Sequence, residues 1–219
     1  MLIRMKNITR TTTPILLAIS LLWAGNLTAQ AERPDEYKTI FGSDNHISHG
    51  GYGALMINYT EIDNRDAILI GAKGGWLIDH RFTIGLAGYG IASDLKYPDK
   101  YSIESVNLVG GYGGLLLEPV FAPNYPVHVS FPVIIGAGGM AYVSSYYDDY
   151  HDDWDGEVYS SDAFFVLEPG VEIEFNMVRF MRLCIGASYR YTSTLDLYNT
   201  PPDIFDGFNY GLSFKFGKF

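Results

Sequence analysis

Cysteine is nearly absent from the 219 residues: Cys184 stands alone, so the chain can form no internal disulfide and offers no cysteine at a leader junction for a lipid anchor. Bases are scarce as well, 15 Lys+Arg against 25 Asp+Glu, a formal charge of −10 that argues against a nucleic-acid partner. No apolar run reaches the ~20 residues that a membrane-crossing helix needs. Sustained helical periodicity is missing too, which leaves strands as the regular structure.

What is present begins with an export signal. Arg4, Lys6 and Arg10 precede the apolar run Ile15 to Ala24, and small residues follow up to Ala29 and Ala31, either of which suits cleavage. Residues 1–31 are therefore read as a signal peptide whose removal takes three bases and no acids, leaving a charge of −13. Residues 32–49 are a polar N-terminal segment, and 50–219 form the folded domain.

The clearest pattern lies between Ala163 and Thr192. Phe165, Leu167, Val171, Ile173 and Phe175, then Met181, Leu183, Ile185, Tyr189 and Tyr191, occupy alternate positions on either side of a short turn. The other face carries Glu168, Glu172 and Glu174, then Arg182, Cys184 and Arg190. Successive strand residues point to opposite sides, so one wall meets an apolar medium and the other a polar interior. The alternation repeats around Lys73, His128 and Lys215. The stretch Val106–Val120 is apolar on both sides apart from Glu118, and its glycines suggest bends or close packing.

Eight runs are long enough to span a bilayer as tilted strands: Gly51–Ile62, Ala67–Ile78, Phe82–Ser93, Val106–Val120, Val127–Ser144, Ala163–Asn176, Phe180–Thr194 and Gly207–Phe219. Short connections (Asp79–Arg81, Phe121–Pro126, Met177–Arg179) alternate with long polar ones, except that Asp63–Asp66 is also short. The expected fold is all-β, an eight-stranded antiparallel up-and-down transmembrane β-barrel with short periplasmic turns and longer outer loops. Lys73, Glu118, Glu168, Glu172, Glu174, Arg182, Arg190 and Lys215 would form a paired charge network in its interior, with His128 beside them, because unpaired buried charge is costly. So narrow a barrel is filled by side chains and leaves no open pore.

The segments GGYGALMINYT, GGWLIDHRFTIGLAGYG, GGYGGLLLEP, IGAGG, DAFFVLEPGVEIEFN, SYRY and the terminal FKFGKF cover most of residues 50–219. In these the chain resembles small eight-stranded outer-membrane β-barrel proteins, in particular a group from Bacteroidetes-type Gram-negative bacteria. The resemblance implies export, cleavage of the signal and insertion into the outer membrane by the barrel-assembly machinery. It also implies a terminal aromatic as assembly signal, a place taken by Phe219, out of phase with Phe214 and Phe216. It carries no catalytic residues across.

The stretch 145–162 is acidic and aromatic and is read as an exposed outer loop. With Gly156 as the sixth position of a calcium loop, Asp153, Asp155 and Asp162 fall at three, five and twelve, while His151 takes position one, so weak Ca²⁺ binding is the only cofactor candidate. Catalytic groupings such as His151 with Asp152 or Asp153 and Ser160, or Ser48 with His46 or His49, lack a motif. The function expected is structural or surface-interacting and non-enzymatic, for a monomer whose partners are outer-membrane lipid and an unidentified protein. Two alternatives stand beside it: a barrel enzyme acting on lipid or peptide, and a soluble periplasmic lipocalin-like barrel with its apolar faces turned inward around a ligand.

Overall fold

The computed structural model describes residues 48–93, 95–98, 105–148, 153–197 and 200–219. The expected signal peptide and most of the expected polar N-terminal segment, with His46, His151 and Asp152, lie outside the described residues.

Strand-forming alternation becomes ten antiparallel segments: β1 (His49–Ile62), β2 (Arg65–Ile78), β3 (Phe82–Ile91), β4 (Leu95–Pro98), β5 (Ser105–Phe121), β6 (Val127–Ser130), β7 (Val133–Asp148), β8 (Asp153–Val178), β9 (Met181–Thr192) and β10 (Gly207–Lys218). They make eight staves, because β3 and β4 both pair with β5, and β6 and β7 both run between β5 and β8. The first stave pairs with the last, Gly51 opposite Lys218 through Thr60 opposite Asn209, and the ring is closed.

Local chemistry explains the stave interrupted between β6 and β7 and the tight turn between β1 and β2. Pro132 has no N–H to give to a ladder, so the strand breaks there. Its neighbours bridge the gap: Phe131 N donates to Pro119 O at 2.9 Å and Gly170 N to Pro132 O at 2.8 Å. Asp63 and Asn64 both adopt positive φ (53° and 57°), the pair of conformations that a two-residue type I′ hairpin requires.

The two faces separate cleanly. In β1, Tyr52, Ala54, Met56, Asn58, Thr60 and Ile62 point inward and are buried, while Leu55, Ile57 and Tyr59 point outward. The outer wall continues around the ring through Ile70, Leu86, Leu115, Ile135, Phe165 and Leu212, with Phe165 as much as 76% exposed. β5, ambiguous in sequence, resolves into inward Leu108, Tyr112, Leu116 and Glu118 and outward Val109 and Leu115. Glycines admit bulky inward neighbours: a Cβ on Gly138 would sit 2.6 Å from the Phe164 ring and 2.6 Å from Tyr112 Cβ.

Two expectations are corrected at the end of the barrel opposite the termini. The stretch 145–162 is mostly not a loop: β7 and β8 continue as a two-stranded ribbon in which Val143 faces Val158 and Asp148 faces Asp153, after a bulge at Tyr142 and Val143. β5 pairs no further than Val143, and β9 no further up β8 than Val166, so beyond those points the ladder of the described ribbon joins only β7 and β8.

The second correction concerns residues 193–197 and 200–206, which are not a solvated loop. Leu195, Leu197, Ile204 and Phe205 are buried in one apolar cluster with Ile62, Leu69, Leu95, Leu108, Tyr112, Met140, Phe164 and Val166 from the barrel wall. The segment folds inward as a plug. Its turns are closed by Leu195 N donating to Pro202 O (3.0 Å), Ile204 N to Pro201 O (3.2 Å) and Asp206 N to Asp203 O (3.0 Å).

Candidate functional site

Below the plug the lumen is built in layers. The layer nearest the termini gathers Lys73 from β2, Glu118 from β5, Glu172 and Glu174 from β8, and Lys215 from β10. Lys73 Nζ lies 3.1 Å from Glu118 Oε2 and 2.6 Å from Glu172 Oε1. Lys215 Nζ lies 2.8 Å from Glu118 Oε1, 2.6 Å from Glu174 Oε1 and 3.3 Å from Glu172 Oε2. Tyr52 donates its hydroxyl to Glu118 Oε1 at 2.9 Å. Gly186 makes room for this layer, since a Cβ there would meet Glu172 Cγ at 2.7 Å.

Arg182 extends the network toward the termini. Its Nη1 donates to Glu174 Oε2 at 3.2 Å and lies 3.3 Å from His128 Nε2, while His128 Nδ1 reaches the Tyr125 carbonyl at 3.2 Å. Phe219 closes the stack. Its ring lies 3.9 Å beneath the Arg182 guanidinium and packs on Tyr52 with centroids 6.0 Å apart. The terminal aromatic therefore points into the barrel, in phase with Ser213 and Lys215, and the last outward aromatics are Phe214 and Phe216. An assembly signal read from an outward terminal ring would fall on those two, not on Phe219.

The upper layer holds Glu168 and Arg190. Glu168 accepts from Tyr112 Oη, from Ser188 Oγ at 2.5 Å and from Asn209 Nδ2 at 2.9 Å. Arg190 is fully buried and ties wall to plug: Nε donates to Phe205 O at 2.6 Å, Nη1 to Asn209 Oδ1 at 3.0 Å, and the guanidinium lies 3.6 Å over the Phe205 ring. The two layers together hold four acids and four bases besides His128. Taking charges out of water is affordable only with such pairing.

Between the layers lies a cavity of about 30 Å³ lined by Asn58, Lys73, Glu168, Glu172, Asn209 and Ser213 among others. That suffices for roughly two waters at the ~10–15 Å³ each requires, and Ser213 Oγ, without a protein partner, is a natural donor to one of them. Among the described residues, the space between the two layers is no larger than that. Glu172, Glu174 and Cys184 place ligand-type atoms within 4.8 Å of one another, but the Lys215 ammonium already serves as their cation. Cys184 itself is 1% exposed.

Seven of the eight residues of the expected interior network are buried, and Glu172 joins them through Lys73 and Lys215. The structure does not bring Asp153, Asp155 and Asp162 together. They lie along one strand, with Asp155 and Asp162 about 23 Å apart at ~3.3 Å per residue, whereas a calcium ion holds its ligands at ~2.3–2.6 Å. Both Asp162 carboxylate oxygens accept backbone N–H groups, from Ala163 at 2.8 Å and Asp196 at 2.7 Å. The calcium-loop reading is corrected accordingly. So is the lipocalin-like alternative, since the charges are enclosed and the continuous apolar face is outside. Residues that sequence reasoning passed over are Phe205, Asn209 and Tyr112, which complete the upper layer.

No protein-family model and no curated protein matches the sequence. Solved structures do. The crystal structure of neisserial surface protein A superposes with a TM-score of 0.53 at 10% identity, covering 80% of this chain and 100% of that one. The attachment invasion locus protein of Yersinia pestis, crystallised with the heparin analogue sucrose octasulfate, gives 0.44 at 11% identity over 77% of this chain and 95% of that one. The N-terminal β-barrel domain of Pseudomonas aeruginosa OprF gives 0.43 at 11% identity over 76% and 96%. At such identities the likeness is one of fold.

Proposed function

We propose that this chain is an outer-membrane β-barrel of a Gram-negative bacterium with a structural or surface-interaction role and no catalytic one. The observation that carries the reading is the sorting of side chains. A closed ring turns an unbroken wall of Leu, Ile, Val, Phe and Tyr outward and seals its charges inside. Monomeric soluble proteins rarely expose apolar patches beyond a few hundred Å²; hydrocarbon is the medium that suits such a wall.

Export through residues 1–31, insertion by the barrel-assembly machinery and membership of a Bacteroidetes-type group belong to the same proposal, as does a monomeric state. The plugged lumen supports a non-conducting barrel, and the ribbon of β7 and β8 supplies the surface for contact outside the cell. Its sequence between 148 and 162 holds seven acids and no Lys or Arg, a charge pattern suited to basic partners.

The test is expression of the full chain in a Gram-negative host. The folded protein should stay in the membrane fraction, migrate faster unheated than boiled on gels, and start at Gln30 or Glu32 by N-terminal sequencing. Recovery of folded protein from the detergent-free periplasmic extract would refute the proposal.

A further inference from the structure

A cleft of about 500 Å³ opens where the outer wall meets the rim of the plug. Its wall side consists of Tyr59, Tyr189, Phe208 and Tyr210, and its rim side of Glu61, Asp63, Asp203 and Asp206. Among the described residues no Lys or Arg lines it.

The aromatic side is continuous. Tyr189 packs against Phe208 with centroids 4.8 Å apart and against Tyr191 at 4.4 Å, and Phe208 runs on to Tyr210 at 6.1 Å. The acidic side is held in place by the plug. Asp206 Oδ1 accepts from both Thr192 N and Thr192 Oγ1 at 2.7 Å, and the turn between Asp203 and Asp206 is closed by its own backbone hydrogen bond.

Aromatic faces joined to carboxylates are the chemistry that receives an organic ammonium group: the rings attract the cation and the carboxylates accept its N–H bonds. The cleft also straddles two media. Tyr59, Phe208 and Tyr210 belong to the exposed outer wall, while Asp203 and Pro201 belong to the exposed mouth.

We propose that this cleft binds the amine of a lipid headgroup in the surrounding leaflet. The proposal rests on the reading of the outer wall as lipid-facing. An ordinary interfacial aromatic belt would sit in the same place and be indifferent to headgroup charge, so headgroup choice separates the two.

The experiment is native mass spectrometry of the full barrel released from uncharged detergent micelles containing equal phosphatidylethanolamine and phosphatidylglycerol. The barrel should retain the amine lipid about tenfold over the glycerol lipid. Asp203→Asn, which removes a charge without changing shape, and Phe208→Leu, which keeps the wall apolar, should each bring the ratio close to one.

Equal retention of the two lipids by the natural protein, or an unchanged ratio in both variants, would overturn the proposal. Soluble ethanolamine binding as tightly as the lipid would overturn the lipid as occupant. A barrel that does not enter membranes at all would show instead as loss of the heat-modifiable folded band, a separate readout from lipid choice.

Discussion

Truncating Arg190 to alanine should cost the barrel about 3–5 kcal/mol, as expected when a buried charge loses its partner or leaves one behind. The parts can be read from its contacts. Three charge-assisted hydrogen bonds, to Phe205 O at 2.6 Å, Asn209 Oδ1 at 3.0 Å and Thr60 Oγ1 at 3.4 Å, are lost, the two shorter ones worth about 1.5–3 kcal/mol each. The stacked contact with the Phe205 ring at 3.6 Å goes too, worth up to about 2 kcal/mol in a desolvated setting. Against this, the chain recovers roughly 2 kcal/mol of side-chain entropy. Glu168 would then be the only charge of the upper layer, which pushes the cost upward.

The expected change in the folded-to-unfolded ratio is roughly 10²- to 10⁴-fold. Urea titration in uncharged micelles, followed by tryptophan fluorescence and the folded gel band, would measure it. Because Arg190 holds the plug by its Phe205 carbonyl, the variant should also expose Leu195, Leu197 and Phe205 to chymotrypsin while the staves remain intact. Arg190→Lys keeps the charge but not the planar fork and should fall between. Stability within about 1 kcal/mol of the natural protein, with the plug still uncut, would refute the claim that Arg190 latches the mouth.

Lys215→Met leaves Glu118, Glu172 and Glu174 with too few cations and should destabilise by about 3–5 kcal/mol, while adding Glu174→Gln should recover part of that loss in a double-mutant cycle. Leu86→Arg places a charge on the outward wall and should cost about 2–4 kcal/mol if the site lies near the bilayer midplane, read as lower folding yield into lipid vesicles with little effect in aqueous solubility. Replacing residues 144–157 by a two-residue Asn-Gly turn should leave the heat-modifiable band unchanged, since the ribbon there pairs only with itself; loss of the folded band would show that it supports the barrel.

The staves were legible in the sequence because inward and outward environments differ so sharply: Glu172 beside Val171 and Ile173, or Lys215 between Phe214 and Phe216, betrays its side at once. The charge network was legible for the same reason, as a census of polar residues on one face. Its division into two layers was not, since the separation of Glu168 from Glu172 depends on strand tilt and on which staves face each other across the lumen.

The plug was hidden for a different reason. Leu195, Leu197, Ile204 and Phe205 sit among Asp, Asn and a Pro-Pro pair, where neither a period of two nor of 3.6 organises them, and only their burial against Leu108, Tyr112, Met140 and Phe164 of the wall shows what they fill. The ribbon was masked by its composition: a run of Asp and Gly reads as loop, yet its backbone is held by the partner strand. Phe219 was half visible, because its phase with Ser213 and Lys215 already pointed it inward.

The way Lys215 is paired bears on the order in which the barrel comes together. It stands on the last stave, and its partners Glu118 and Glu174 lie 97 and 41 residues earlier, across the lumen. An open sheet lacking that final strand offers only Lys73 and Arg182 to the three carboxylates of Glu118, Glu172 and Glu174, so one charge is left unpaired and the concave side stays wet. When β10 zips onto β1, the same event supplies the missing ammonium, expels the water and brings Asn209 under Arg190. Closure should therefore be concerted and its reverse slow, because peeling the seam by one or two residue pairs leaves the Lys215 ion pairs in place. The barrel's persistence should accordingly be a matter of a high barrier to opening, with a lifetime far more sensitive to Lys215 than to any single apolar residue on the outer wall.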